Sequence, residues 1–219
     1  MVMFDLHTHS TFSDGSLIPS ELARRAFVHG YKAVAITDHV DFTNIKFVLK
    51  NVRKIKNIER DLNIRVIIGV ELTHVPPSKI ASLVKLAREL GSELIIVHGE
   101  TLVEPVAKGT NRAAVELPDV DILAHPGLIT IEEAELAREN DIYLELTSRN
   151  GHNRSNGHVA RIAEEAKAKL LVNTDLHDPD DYITKEVAIE VAMGAGLRAK
   201  EASDVIERNP EKLLQKIKE

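Results

Sequence analysis

The sequence predicts a closed, parallel α/β barrel, and three observations predict it. Short apolar runs of strand length recur seven times along the 219 residues, separated by helical patterns. Nearly every run ends on a histidine or a carboxylate, and a barrel gathers such ends into a ring where an open sheet would spread them along a line. No strand pattern follows the seventh run, so Lys185 to Glu219 forms extra C-terminal helices. With no internal repeat beyond this alternation, residues 1–219 read as one domain.

The first strand, Val2 to Ser10, carries Asp5-Leu6-His7-Thr8-His9. Side chains alternate faces along a strand, so His7 and His9 point the same way with Cα atoms about 7 Å apart. Thr11 to Gly15 is a polar loop with an Asp-Gly turn signal. A helix runs from near Pro19 to His29, with Leu22, Ala26 and Phe27 at helical spacing, until Gly30 stops it. Ala33 to His39 has the pattern of a buried parallel strand whose polar C-terminal end opens on a site. A charged helix, about Lys46 to Leu62, leads to the third strand, Arg65 to Glu71, where Gly69 lets backbone approach closely.

Beyond Pro76-Pro77 the pattern continues with a helix from about Ser78 to Leu90 and the fourth strand, Glu93 to His98. Pro105 to Val115 is helical by composition, interrupted by Gly109. The fifth strand and its turn span Asp121 to Gly127. The helix from Ile131 to Asn140 then sets Glu132, Glu133 and Glu135 where the helix dipole favours acids. The sixth strand, Ile142 to Thr147, ends in a polar loop, Ser148 to Gly157. Val159 to Ala168 is helical, and Leu170 to His177 is the seventh strand. The tail breaks at Gly194 and Gly196 and starts again at Asn209-Pro210, where proline suits a first helical turn.

Composition narrows the chemistry. With no cysteine there are no disulfides and no thiolate nucleophiles or ligands, so any metal must be held by nitrogen and oxygen. A net charge of −6 gives no basic stripe for nucleic-acid backbones, so nucleic acid is not an expected partner. Bound dications would reverse the sign locally and admit an anionic substrate. No run approaches the roughly eighteen apolar residues of a membrane span, and no signal pattern opens the chain, so a soluble, cytoplasmic protein without a membrane partner is expected.

The strand ends carry His7 and His9, His39, Glu71, His98, His125, then Asp175 and His177; the sixth strand carries Glu145 and Thr147. One histidine near a strand end is ordinarily structural. A metal-competent residue at the end of six of seven strands points to a metal centre. Counting Asp14 in the first loop, nine candidate ligands exceed what one ion takes, which implies two or three divalent ions with Glu71 or Asp175 as a bridging carboxylate. Asp175-Leu176-His177 repeats the spacing of the first strand, so both side chains should face one way. Asp38 points opposite to His39 and reads as a hydrogen-bond partner behind the site.

Of the other histidines, His29 and His158 read as ordinary surface or loop residues, His74 as a loop histidine with a supporting place behind the site as the alternative, and His152 as a weak candidate for touching substrate. Arg149 and Arg154, in the loop after the sixth strand, suit bidentate contact with phosphate oxygens. Lys108 and Arg112 are weaker candidates for the same task.

Taken as a set, Asp5-Leu6-His7-Thr8-His9-Ser10, Ser13-Asp14-Gly15, Thr37-Asp38-His39, Gly69-Val70-Glu71, Val97-His98-Gly99, Ala124-His125-Pro126-Gly127 and Asn173-Thr174-Asp175-Leu176-His177 resemble the motifs of the polymerase and histidinol phosphatase (PHP) family. The resemblance spans Asp5 to His177 in order. It implies a distorted seven-stranded, (β/α)7 TIM-like barrel holding a trinuclear site. By analogy His7, His9, Glu71 and Asp175 would hold one ion, Glu71, His98 and His125 a second, and Asp14, His39 and His177 the third. Some members of the family carry histidine where Asp14 stands.

The combined reading is a metal-dependent phosphoesterase acting on a small phosphomonoester, histidinol phosphate or similar, with two to three Zn, Mn, Fe or Mg ions as cofactors. Two ions sharing a water would lower its pKa and supply hydroxide for in-line attack, with Glu71, Asp175 and His177 as the catalytic set. The third ion and an arginine would take the phosphoryl oxygens. Three rivals stand beside it. Amidohydrolases also open with His-x-His, yet commonly place a carbamylated lysine where this chain has His98; the others are a PHP-type nuclease or nucleotide phosphatase and a non-catalytic regulatory barrel.

Overall fold

A computed structural model describes residues 3–217. Val2, expected to open the first strand, and Lys218 and Glu219, expected to end the last helix, lie outside them. The strands are β1 (Met3–Asp5), β2 (Tyr31–Ile36), β3 (His39–Val40), β4 (Arg65–Leu72), β5 (Leu94–His98), β6 (Ile122–Ala124), β7 (Tyr143–Thr147) and β8 (Lys169–Asn173). The helices are α1 (Pro19–Val28), α2 (Ile45–Val52), α3 (Glu59–Leu62), α4 (Pro77–Glu89), α5 (Thr110–Val115), α6 (Ile131–Glu139), α7 (Asn156–Ala166), α8 (Lys185–Gly194), α9 (Ala199–Ser203) and α10 (Asn209–Lys216).

All strand pairs are parallel, in the order β1-β2-β4-β5-β6-β7-β8, with the short β3 extending β2 along β4. The first and last strands meet beyond their regular ends, where Thr8 bridges Leu176 and the His9 amide donates to Leu176 O at 2.8 Å. Lower down, the Asn173 side chain takes the place of a ladder bond by accepting the Leu6 amide at 3.0 Å. The result is a nearly closed, seven-stranded α/β barrel of the TIM type, as expected.

Burial on both faces explains the near-continuous apolar runs. Inward-facing Phe4, Leu6, Ala33, Ala35, Ile67, Leu94, Ile96, Ile122 and Leu171 fill the barrel, and Leu213 and Leu214 of α10 pack into the same cluster. The outer faces carry the larger layer between strands and helices, including Leu22, Val34, Ile68, Leu83, Leu144 and Val159. Gly69 sits where a Cβ would meet Thr37 Cγ2 at 2.7 Å, the close approach its position suggested.

Several elements differ from expectation. The second strand breaks at Thr37-Asp38 because both residues bond the first-strand extension: Thr37 Oγ1 accepts the Thr8 amide, and Asp38 accepts the amide and hydroxyl of Ser10. The charged run Lys46 to Leu62 is three pieces, α2, a 3-10 turn Arg53–Asn57 and α3, with Lys56 tied to Val66 O and Glu59. Helix at Pro105 to Val115 is confined to Thr110–Val115, since Gly109 caps it in a left-handed conformation, φ 93°.

The loop Ser148 to Gly157 contains a 3-10 turn, His152–Ser155, and the start of α7. Asn209-Pro210 opens α10 with proline in its first turn, as expected, but a π turn, Asp204–Arg208, joins that helix to α9 without an intervening loop.

Candidate metal centre

Eight of the nine ligand candidates, all except Asp14, are held by residues at or just past the C-terminal ends of strands. His7, His9 and Glu71 are fully buried, and His98, His125 and Asp175 are nearly so. β3 pairs His39 directly with Glu71 of β4. β8 stops at Asn173, short of the expected His177, and Asp175 does not continue the strand: it adopts φ +53°, and His125 adopts φ +28°. Such conformations cost of order 1–3 kcal/mol in non-glycine residues and turn the side chains out of the strand's alternation. The i, i+2 symmetry expected between Asp175 and His177 is thereby replaced by a turn, in which His177 Nδ1 donates to Asp175 O at 2.8 Å.

A layer of fixed hydrogen bonds aims the rings. His7 Nδ1 donates to Glu145 Oε1 at 2.8 Å, and Glu145 also accepts from Asn173 Nδ2 and the His125 amide. His98 Nδ1 donates to Gly99 O at 3.1 Å, and His39 Nδ1 lies 2.6 Å from Thr73 Oγ1. With Nδ1 engaged, each ring presents Nε2 to the centre, the arrangement that fixes tautomer and direction in metal-binding histidines. Asp38, as expected, stands behind the site: it accepts Ser10 and Ser13 and so anchors the loop bearing Asp14. Gly127, at φ +61°, would press a Cβ to 1.9 Å from Glu100 O, which accounts for glycine after His125-Pro126.

Several buried polar atoms of the centre make no hydrogen bond. Among the described residues, the buried side-chain polar atoms without a hydrogen bond are His7 Nε2, both nitrogens of His9, both oxygens of Glu71, His125 Nδ1, His152 Nδ1 and Asp175 Oδ1, and, outside the site, only Thr101 Oγ1. Each such atom costs about 1–3 kcal/mol when left unsatisfied. Glu71 Oε2 is 2.7 Å from His39 Nδ1, but out of line for a hydrogen bond.

Separations across the centre suit a shared cation. Glu71 Oε1 is 3.4 Å from His7 Nε2, Glu71 Oε2 3.5 Å from His9 Nε2, and Asp175 Oδ1 3.1 Å from His9 Nε2. Asp14 lies 3.3 Å from His177 Nε2 and 3.6 Å from His39 Nε2. An ion holding nitrogen and oxygen donors at about 2 Å in tetrahedral array sets them roughly 3.3 Å apart. The donor types and their lack of partners fit divalent cations.

Electrostatics agree. Burial drives His9 and His125 well below the usual imidazole range, so both stay neutral with lone pairs available. Burial alone would raise Glu71, but His7 and His39 hold it well below the carboxylate range. Asp175 is pushed by burial to about 6, and Asp5, accepting Thr174 Oγ1 beneath the first strand, to about 7.

Four groups of donors result: His9, Asp14, His39 and His177; His7, His9 and Asp175; His7, Glu71 and His125; and His74, His98 and Glu104. All nine candidates therefore belong to one or another, though the grouping differs from the analogy. His98 falls with Glu104 and His74, and His7 stands with Glu71 and His125.

Arg149 enters the centre, its Nε 3.6 Å from Asp175 Oδ2 and its Nη1 bonded to Asp175 O and Asp181. Arg154 is exposed, and among the described residues its side chain makes no hydrogen bond or ion pair, unlike that of Arg149. Glu104 escaped sequence reasoning, because an acid in a loop six residues past His98 carries no local signal. His152, a weak candidate from sequence, is buried against His125 with ring centroids 4.4 Å apart.

Comparison with known proteins bears on this arrangement. The chain is 51% identical over 98% of its length to an uncharacterised protein of Methanocaldococcus jannaschii, covering 99% of that protein. It is 27% identical to ribonuclease P protein component 3 of Methanosarcina mazei (97% and 89% covered) and 27% identical to a probable phosphatase of Thermoanaerobacter sp. (90% and 87%). A chain of an archaeal ribonuclease P solved with mature tRNA shares the fold, with TM-score 0.73 and 18% identity over 98% of this chain and 90% of that one. The PHP domain matches residues 5–191, from Asp5 through every histidine and carboxylate gathered at the barrel mouth, and the chain belongs to the PHP domain family.

Proposed function

We propose that the chain is a metal-dependent phosphoesterase acting on a small phosphomonoester, histidinol phosphate or similar. The observation that carries this reading is the concentration of unpaired, buried imidazole and carboxylate atoms at one end of the barrel. His7, His9, Glu71, His125 and Asp175 would hold the inner ions and Asp14, His39 and His177 the outer one. Bound divalent cations would supply Lewis-acid charge and activation of water. Arg149, 30% exposed beside Asp175, offers its guanidinium to phosphoryl oxygens. Phe42, Leu102, Val103 and Leu128, exposed on loops at this end, give the apolar part of a substrate something to rest on. The Thermoanaerobacter relative supports this reading by its description as a probable phosphatase.

A second reading, an RNA-associated protein, is favoured by the ribonuclease P relatives and by one surface. Lys46, Lys50, Arg53, Lys54, Lys56 and Arg60 stand against Glu59 and Asp61 in one helical stretch, with Phe42 and Phe47 exposed beside it. Net charge conceals this local basic run, so the expectation that nucleic acid is not a partner finds no support.

Protein reconstituted separately with Zn, Mn, Fe and Mg, then assayed on histidinol phosphate, nucleoside monophosphates, single-stranded DNA and RNA, tests both. Two to three equivalents of metal and phosphate release from a monoester are expected. Less than one equivalent after reconstitution would remove the metal-dependent reading. Full metal loading, no turnover and salt-sensitive RNA binding would favour the second.

A further inference from the structure

Glu104 lies on the loop between β5 and α5, outside every motif that marks the family resemblance, yet it is the carboxylate on which three imidazoles converge. Its Oε2 is 3.1 Å from His98 Nε2 and 3.2 Å from His74 Nε2, and its Oε1 is 3.3 Å from His152 Nε2. One donor atom from each of His74, His98 and Glu104 lies within 4.8 Å of the other two. We propose that Glu104 and His74 join His98 as ligands of a divalent cation at the mouth of the barrel. The proposal rests on the metal-dependent reading above and adds two ligands to it.

The hydrogen bonds at His98 lead to this assignment. Its Nδ1 donates to Gly99 O, so the neutral ring turns the lone pair of Nε2 toward Glu104 Oε2. Two lone pairs 3.1 Å apart repel unless a proton or a metal ion stands between them. His98 packs against His125, ring centroids 4.4 Å apart, and a divalent cation between its Nε2 and Glu104 Oε2 would satisfy both atoms at once. Two imidazoles and one carboxylate are also the protein ligands of many open zinc sites, which leave a position for water or substrate. Here the opening exists: the side chains of His74 and Glu104 are 41% and 38% exposed, whereas His98 is buried.

The loop is built to hold Glu104 in place. Glu100 Oε1 accepts the amides of Gly109 and Asn111, Asn111 Oδ1 accepts the Glu100 amide, and Asn111 Nδ2 donates to Pro126 O. These bonds tie the neck of residues 100–111 to the turn after His125. His74 is turned inward by a left-handed backbone, φ +53°. His152, 6% exposed, secures the second carboxylate oxygen.

The experiment compares the full-length chain with Glu104→Gln and His74→Ala, each stripped by chelator and reloaded with Zn or Mn. Metal content is read by elemental analysis and affinity by competition with a chromophoric chelator, with thermal melts in chelator as the folding control. Both variants should lose one equivalent, or bind the weakest equivalent at least tenfold less tightly, while melting like wild type without metal. If Glu104→Gln keeps every equivalent at wild-type affinity, or binds more tightly, Glu104 is only a counter-ion to imidazolium and the proposal is overturned. If wild type itself binds less than one equivalent, the metal-dependent reading fails first. Should Glu104→Gln fold poorly, His74→Ala decides by the same two readings.

Discussion

The two ends of the barrel are built on opposite rules. At the N-terminal end, Leu213 and Leu214 of α10 close the interior, Arg65 donates to Leu214 O, and Asn209 donates to Leu170 O. Apolar surface is covered there and these polar groups are paired. At the C-terminal end, eight buried side-chain polar atoms of the centre make no hydrogen bond among the described residues, and His125 and Asp175 hold left-handed backbone. One end supplies stability without help from a ligand. The other spends part of that stability to keep imidazoles and carboxylates poised, the division expected when barrel function resides at the C-terminal face.

The largest effect that would break this contrast is at Asp175. Asp175→Ala should lower kcat by at least two orders of magnitude, about 3 kcal/mol, and reduce metal content. In chelator it should melt no lower than wild type, because burial disfavours this carboxylate's charge and pushes its pKa to about 6. A variant that melts lower in chelator yet keeps all its metal and activity would show that Asp175 is structural.

Next in size is the opposite end. Leu213 is fully buried in the barrel plug, so Leu213→Ala should destabilise the protein by roughly 2–4 kcal/mol in urea unfolding. Metal stoichiometry of the folded fraction should not change. If stability and metal content fell together, the two ends would be one cooperative unit with the centre, and the division drawn above would be wrong.

The smallest effect sharpens the mouth itself. Arg149→Ala should raise KM for the best phosphoester roughly tenfold, about 1.4 kcal/mol, with metal content intact. Arg154→Ala, at an exposed side chain without a partner among the described residues, should stay within about twofold, well under 1 kcal/mol. Equal effects from both substitutions would mean that the loop closes on substrate as a unit.

Legibility in the sequence followed the range of the physics. β2, β4, β5, β7 and α1, α4, α6 were recognisable within a few residues, because periodicity and glycine or proline boundaries are written locally. The helical stretch after β3 was misread as continuous, since its breaks depend on contacts made across the fold, such as Lys56 to Val66 O and Arg53 to Leu90 O. Asp38 was legible as a supporting carboxylate from strand alternation alone. Glu104 was not, because loop paths carry no period.

By itself the sequence determined the alternation of strands and helices, the placing of metal-competent residues at successive strand ends, and the exclusion of thiolate chemistry. Tertiary structure alone decided which residues meet. His7 is oriented by Glu145, 138 residues away, Glu104 gathers three histidines from three separate segments, and α10 returns to close the barrel where Phe4 and Leu6 begin it. The physical reason is that local pattern fixes which face a side chain takes within an element. Pairing across the centre depends on barrel closure and on left-handed turns at His125 and Asp175, which take effect only when the whole ring has formed.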